Sequence, residues 1–551
     1  MARGLLVSYA GYPYTPSSLT PDNGLANLAG ALLEAGHDVR IVDYGTLSTM
    51  RRLFPEELSR QVKPLAEKML ASADGPPASE QLGQLEQLAD WLEAYQQAQL
   101  QQIGQELIEE VGRFQPEFVG FKLWNGDGFS GSVALAQMLR AEFPDLHIYA
   151  GGPQASWFNK VIYRRTDVFE AIACGEAEAT IVPLAEHAIG ERSLGDIPAI
   201  VYRQNGEVIE VPRTEWLDLY DLPVPVYDPE IYPAMAGDEK IKIIVLDDSR
   251  GCPYRCGFCT HPMESGSRLR TASAELLVDR MERIVRDYGI SVFRFAGSST
   301  PGSLMYEVAQ QILARGLNVQ YACFGHFASA DPDHFQVMAD SGLYAVFFGL
   351  ESGCQQVLDR AVRKGVNLAT VKETVQKAQR AGLFVVTSMI VPLPFDTEET
   401  IKESRDFITG LRPDSVPVQF PGLLPGTPWL KQPEKYNFEV DTEELLLAGL
   451  DYKIKLLFPP QFWEAPPYKV NGMSFPEFTA LTMKFAEDLE KTGILTAVPD
   501  DMALIAKCAG MTARELRDQA RLWCLTGDVA GMAQMAEQVN RAITSGQPGV
   551  E

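Results

Sequence analysis

Cys252, Cys256 and Cys259 stand in the run Ser249-Arg250-Gly251-Cys252-Pro253-Tyr254-Arg255-Cys256-Gly257-Phe258-Cys259, directly after the apolar stretch Ile243–Leu246. A Cys-x3-Cys-x2-Cys loop gathers three thiolates around one point. Three thiolates satisfy three irons of a four-iron, four-sulfur (4Fe-4S) cluster and leave the fourth iron open to a ligand that is not protein. The competing chemistry is a zinc ion with His261 as fourth ligand. Structural zinc sites are built from paired Cys or His knuckles. No second pair accompanies this loop, so an open-iron cluster is the expected occupant.

The elements that must position this loop are legible on both sides of it. Before it, strand-like runs at Leu5–Tyr9, Val39–Tyr44, Phe118–Leu123, Ile148–Gly151 and Val168–Cys174 alternate with amphipathic stretches at 22–36, 131–142 and 177–189. Such β-α alternation predicts an α/β, doubly wound, Rossmann-like parallel sheet whose ligand sits beyond the carboxyl ends of the strands. Those ends are loops of small and polar residues, among them Trp124-Asn125-Gly126-Asp127-Gly128, Gly151-Gly152-Pro153-Gln154 and Gly175-Glu176-Ala177-Glu178. None is a GxGxxG dinucleotide fingerprint; a large, flat ligand approaching the backbone closely is expected instead. After the loop, strand-like segments at 242–247, 290–296, 317–323, 343–349, 383–390 and 414–420 alternate with longer helices. Six β-α units predict a partial (β/α)6 barrel with its reactive groups at the strands' C-terminal ends.

The order Pro21-Asp22-Asn23-Gly24, Gly36-His37-Asp38, Gly151-Gly152-Pro153 and Gly175-Glu176-Ala177-Glu178 resembles the cobalamin-binding domain that precedes many radical S-adenosylmethionine (SAM) modules. The resemblance spans most of residues 1–200. It implies that Trp124, Asn125, Ser130, Gly151, Gly152, Pro153, Gln154, Gly175, Glu176 and Glu178 receive cobalamin. Some cobalamin proteins supply a histidine from Asp-x-His-x-x-Gly. Here Asp145-Leu146-His147-Ile148-Tyr149-Ala150-Gly151 is one residue too long and enters a strand, so cobalamin without a histidine on cobalt is expected. The bland alternative is a Rossmann-like domain that holds nothing.

The triple-cysteine loop resembles that of the radical SAM enzymes, and the likeness runs through roughly 242–425. It implies Cys252, Cys256 and Cys259 as cluster ligands and Phe258 beside the SAM adenine. Phe295-Ala296-Gly297-Ser298-Ser299 takes the place of the family's methionyl-amine motif and departs from its usual Gly-Gly-Glu. Gly349-Leu350-Glu351-Ser352-Gly353 resembles the Gly-x-Glu-Ser-Gly of cobalamin-dependent members, with Glu351 on SAM and Ser352 either beside it or capping the helix that follows. Ser388-Met389-Ile390-Val391-Pro392 takes the place of the adenine-contacting segment, through Ser388 and Val391.

These readings divide the chain into a cobalamin-binding domain over 1–205 with a helical insertion at 46–113, a linker over 206–240, a radical SAM partial barrel over 241–428 and a helical C-terminal domain over 429–551. The insertion carries apolar residues at helical spacing (Leu85, Leu88, Trp91, Leu92) and a break at Gly75-Pro76-Pro77. In the tail, Trp463, Tyr468 and Phe475 are expected either to line a substrate cavity or simply to pack. The 551 residues are 46% hydrophobic, and the formal net charge of −25 disfavours nucleic acid and anionic membranes as partners. Eight cysteines are too few for a disulfide scaffold in a chain of this length. Gly4–Tyr9 is too short for a signal sequence and no apolar run approaches the ~20 residues of a membrane span. A cytoplasmic location is expected.

The resemblance implies an enzyme in which an electron from the reduced cluster, supplied by flavodoxin or ferredoxin, cleaves SAM to a 5′-deoxyadenosyl radical. Cobalamin would carry a methyl group from a second SAM to the resulting carbon radical of a small-molecule or peptide substrate. C-methylation is the leading expectation. A rearrangement or cyclisation without methyl transfer and a polar methylation of an aromatic carbon are the alternatives. Methylthiolation would need three N-terminal cysteines where this chain has only Cys174. A non-catalytic cobalamin sensor would have no use for an intact cysteine loop.

Overall fold

Runs of Val, Ile, Leu and Phe buried on both faces form two mainly parallel sheets, as strands sandwiched between helices must. The computed structural model describes residues 1–71, 79–297 and 299–545. The first sheet contains β1 (Arg3–Ser8), β2 (Asp38–Asp43), β3 (Phe118–Lys122), β4 (His147–Gly151) and β5 (Ala171–Ala173), all parallel, followed by the antiparallel hairpin β6 (Ile200–Gln204) and β7 (Glu207–Val211). Its order, β2-β1-β3-β4-β5-β6-β7, reverses direction at β1, so the switch-point crevice opens between the ends of β1 and β3. The hairpin lies where a linker beginning at 206 was expected. Its cause is local: Asn205 (φ 52°) and Gly206 (φ 84°) make the two-residue turn that Asn-Gly favours.

The insertion between β2 and β3 is helical, with helices at Leu47–Leu53, Glu56–Ala71 and Ser79–Phe114. Gly75-Pro76-Pro77 lies outside the described residues. In the long helix, Leu85, Leu88, Leu92, Leu100, Ile103, Leu107 and Val111 form the buried stripe, which is the spacing one helix face requires. This insertion packs on the C-terminal helices Ala513–Thr526 and Val529–Thr544.

The second sheet runs β8 (Ile244–Leu246), β9 (Val292–Phe295), β10 (Gln320–Gly325), β11 (Leu343–Glu351), β12 (Phe384–Ile390) and β13 (Ser415–Val416) in sequence order. The short segment Val418–Gln419 also pairs parallel with β12, and the tail adds a further parallel strand, β14 (Leu495–Thr496), beside β13. The helix after the cysteine loop, Ala274–Tyr288, buries Leu277, Met281 and Ile284, is capped by Ser273 and is closed by Gly289 at φ 68°. Helix Glu398–Leu411 opens with a reciprocal Thr397–Thr400 capping box. The tail is mostly helical; it includes helix Thr442–Asp451 and a helix Asp500–Cys508 that packs against β10, β11 and β12. That last helix is tied to β9 by Arg294, whose Nε and Nη2 donate to Asp500 at 2.8 and 2.9 Å.

Candidate active site at the meeting of two sheets

The cysteine loop leaves β8 and is held from both sides. Cys252 N donates to Gly266 O (3.1 Å), Gly257 N to Val362 O (2.9 Å) and Trp429 N to Gly257 O (3.0 Å). A Cβ at Gly257 would lie 2.3 Å from Trp429 Nε1 and 2.6 Å from Ala361 O, so only glycine admits this approach. Cys252 and Cys256 are buried and Cys259 half-buried. Burial pushes the Cys252 thiol up, Cys256 up to about 12 and Cys259 up to about 11; a bound metal would have to displace these protons. Three thiols on one loop suit a cluster in which each thiolate serves its own iron.

Around the loop the strand ends converge. Glu351, at the end of β11 with φ 74°, accepts from Lys364 Nζ (2.8 Å) through one oxygen and from Ser388 Oγ (3.1 Å) through the other. A Cβ at Gly349 would sit 2.3 Å from both Glu351 Oε1 and Lys364 Nζ, which explains the glycine two residues before the acid. Burial alone would lower the Lys364 pKa; the Glu351 carboxylate and the cysteines overcome it and hold the ammonium charged. Ser352 turns away: its Oγ accepts from Cys354 N (3.1 Å) and meets Ser404 Oγ at 3.0 Å. Gly297 N donates to Asp248 Oδ1 (2.7 Å), and a Cβ there would fall 2.0 Å from Ser249 Oγ. Asp248 is fully buried and burial pushes its carboxyl up to about 6. Ser298 lies outside the described residues. Val391 is buried, with its N–H on Gln419 O at 2.9 Å. Phe258 tilts against Trp429 at 5.8 Å.

Three groups here carry no sequence motif: Lys364, Asp248 and His326. His326 stacks on Tyr254 of the cysteine loop at 3.7 Å and 7°. Its Nδ1 accepts from Ala328 N (3.1 Å), while its buried Nε2 has no partner among the described residues. Burial, reinforced by Lys364, pushes this imidazole down to about 3, so it is neutral. A buried polar nitrogen without a partner, stacked on the cysteine loop through Tyr254, is a group that a bound ligand could satisfy.

Between the two sheets lie two adjoining cavities, both lined by Gly24 and Lys122. The smaller, about 380 Å³, is bounded by Gly151, Gly152, Pro153, Gly175, Glu176 and Glu178 on one side and by Asp247, Arg250 and Gly251 of the cysteine loop on the other. It reaches inward past Leu6, Gly120, Tyr149 and Leu184, forming an apolar slot; a Cβ at Gly152 would approach Lys122 Cγ to 3.1 Å. The Glu176 and Glu178 carboxylates face each other's neighbours: Arg250 grips Glu178 (3.1 and 2.6 Å), and Arg270 grips Glu176 (3.0 and 2.5 Å). The Arg250 pair ties the end of β5 to the cysteine loop. The larger cavity, about 940 Å³, takes Trp124, Asn125 and Ser130, with Gln96 from the insertion and Tyr452 from the tail. Gln154 lines neither, and its buried Oε1 has no partner among the described residues. Tyr468 and Phe475 pack on Phe478, and half-buried Trp463 donates to Phe458 O at 2.8 Å; the tail reaches the larger cavity through Tyr452–Phe458 and Glu464.

Residues 247–408 match the Radical SAM superfamily. The solved structure of the radical SAM methyltransferase TsrM from Kitasatospora setae, with cobalamin and a 4Fe-4S cluster, superposes with a TM-score of 0.63 at 16% identity, covering 95% of this chain and 99% of that one. OxsB, a cobalamin-dependent SAM radical enzyme solved with aqua-cobalamin and SAM, gives 0.54 at 18% identity over 74% of this chain and 52% of its own. An uncharacterized methyltransferase of Pyrococcus horikoshii is 23% identical over 325 residues, 58% of this chain and 70% of its own. Residues 247–408 thus match the radical SAM superfamily, and the chain as a whole has the two-sheet fold of TsrM. No described helix is long and apolar enough to cross a membrane.

Proposed function

We propose that this protein is a cobalamin-dependent radical SAM C-methyltransferase acting on a small molecule or peptide and reduced by a flavodoxin- or ferredoxin-like donor. The observation that carries the reading is the shared cavity: the cysteine loop and the glycine-rich ends of β4 and β5 border the same space. Cys252, Cys256 and Cys259 would hold the cluster. Glu351, oriented by Lys364 and Ser388, would meet SAM together with Phe258, Gly297, Ser298 and Val391, while Ser352 shapes the turn behind them. The cavity backbones at Gly151, Gly152, Pro153 and Gly175 would cradle cobalamin, with Trp124, Asn125 and Ser130 at its edge. When bound, the cluster supplies the electron that cleaves SAM, and cobalamin supplies a cobalt suited to accepting and delivering a methyl group.

The test is anaerobic turnover with SAM, a strong reductant and candidate metabolites, read by mass spectrometry for a gain of one methylene. Radical methylation consumes two SAM per product and yields one S-adenosylhomocysteine and one 5′-deoxyadenosine, with deuterium from the reacting carbon in the latter. Polar methylation of an aromatic carbon is the second reading, favoured by the whole-length likeness to TsrM, which has been solved with tryptophan. It yields S-adenosylhomocysteine alone. Product formed with no 5′-deoxyadenosine above background would replace the first reading with the second.

A further inference from the structure

His147, Glu170 and His187 place their ligand atoms within 4.8 Å of one another, far from the cysteine loop in sequence. His147 opens β4, Glu170 directly precedes β5 and His187 lies in the last turn of helix Glu178–Ala188. Gly151, at the other end of β4, borders the smaller cavity, about 13 Å from His147 at strand rise. His147 therefore belongs to the opposite edge of the sheet, beyond reach of that cavity's mouth.

The donor set is ordered. His147 Nδ1 meets Glu170 Oε2 at 2.7 Å, and His187 Nε2 stands 3.8 Å from Glu170 Oε1. The two imidazoles meet edge to face at 5.1 Å. His187 Nδ1 is engaged by the Tyr149 hydroxyl at 2.7 Å, which turns Nε2 toward the carboxylate. A metal-bound histidine ordinarily has its second nitrogen fixed in this way by an outer partner. Side-chain exposures of 30%, 32% and 15% leave the group open to solvent on one side. The nearby cation, Arg140, is committed to the Pro144 and Leu146 carbonyls at 2.7 and 2.6 Å. Two imidazoles and one carboxylate, with positions left for water, suit zinc or a similar first-row divalent ion.

We infer that His147, Glu170 and His187 form a second, structural metal site for zinc-like divalent ions, closing the edge of the first sheet opposite the cysteine loop. Such an ion would staple β4, the entry to β5 and helix Glu178–Ala188. It would also fix Tyr149, whose ring lines the smaller cavity.

The test uses the full chain with its cluster reconstituted, equilibrated with zinc sulfate, passed through gel filtration and assayed for zinc by mass spectrometry, with zinc X-ray absorption to identify the ligands. About one zinc per chain is expected, with nitrogen and oxygen neighbours only, and it should persist when Cys252, Cys256 and Cys259 are all alanine. His147→Ala and Glu170→Gln should each lose it while keeping the far-ultraviolet spectrum, and Tyr149→Phe should weaken it about tenfold. No retained zinc in the wild type, sulfur neighbours that vanish with the cysteines, or equal retention in both ligand variants would each overturn the inference.

Discussion

Glu351 is the residue on which the barrel mouth is organised, because its two oxygens join groups from separate loops: Lys364 and Ser388. A hydrogen bond to a charged group contributes roughly 1.5–3 kcal/mol. Glu351→Gln should therefore weaken SAM binding by about 10- to 100-fold in equilibrium dialysis, with iron content unchanged. At the cysteines themselves, the alanine triple variant should emerge from anaerobic reconstitution without iron, whereas Cys508→Ala and Cys524→Ala, both buried and distant in sequence, should retain it. Asp248 provides a pH signature. Its carboxyl at about 6 keeps a proton in the folded chain at pH values where an ordinary carboxyl near 3.8 has lost it. Its contribution to stability is thus full below about pH 4 and is lost as pH rises through 6. Thermal midpoints of Asp248→Asn measured across that window should lack this decline. Of these residues, the cysteines, Glu351 and Ser388 were legible because each sits in a short motif. Lys364, Asp248 and His326 were not, because their roles arise from neighbours brought in by other strands.

At the scale of elements, the junction between the two sheets rests on a buried charge chain. Arg250 bonds Glu178 and also Asp247 Oδ1 (2.9 Å), whose other oxygen accepts from Asn23 and Asn27 at 2.9 Å each. Removing one partner from a buried pair leaves the other charge uncompensated, at a cost of about 3–5 kcal/mol. Arg250→Met should lower the denaturant midpoint accordingly and weaken cobalamin binding, because the cavity wall loses its tie. Unchanged stability would mean that water replaces the guanidinium. Elements were the most readable level: helix Ala274–Tyr288 follows its apolar spacing, serine cap and closing glycine. Strand β14 was not readable. Two residues carry no periodicity, and only the free edge of β13 makes Leu495–Thr496 a strand.

Across the whole molecule, the tail is stitched to both sheets. The helix Asp500–Cys508 rests on the barrel strands, and helices Ala513–Thr526 and Val529–Thr544 clasp the insertion. Asp500 is fully buried, and burial holds its carboxyl above the usual range even with Arg294 against it. Arg294→Met should strand that acid and loosen the tail, seen as faster proteolysis beyond residue 495 and a lower melting temperature.

The β-α alternation, the cysteine loop and the glycine-rich strand ends are all readable from the chain's residues alone, because periodicity, capping and metal-ligand spacing act over a few residues. Folding alone brings Glu176 and Glu178 to their arginines, turns Ser352 into its own turn, joins insertion and tail around one cavity and sets His147 against Glu170 and His187. Those outcomes depend on side chains up to hundreds of residues apart competing for the same few ångströms, a competition no local pattern records.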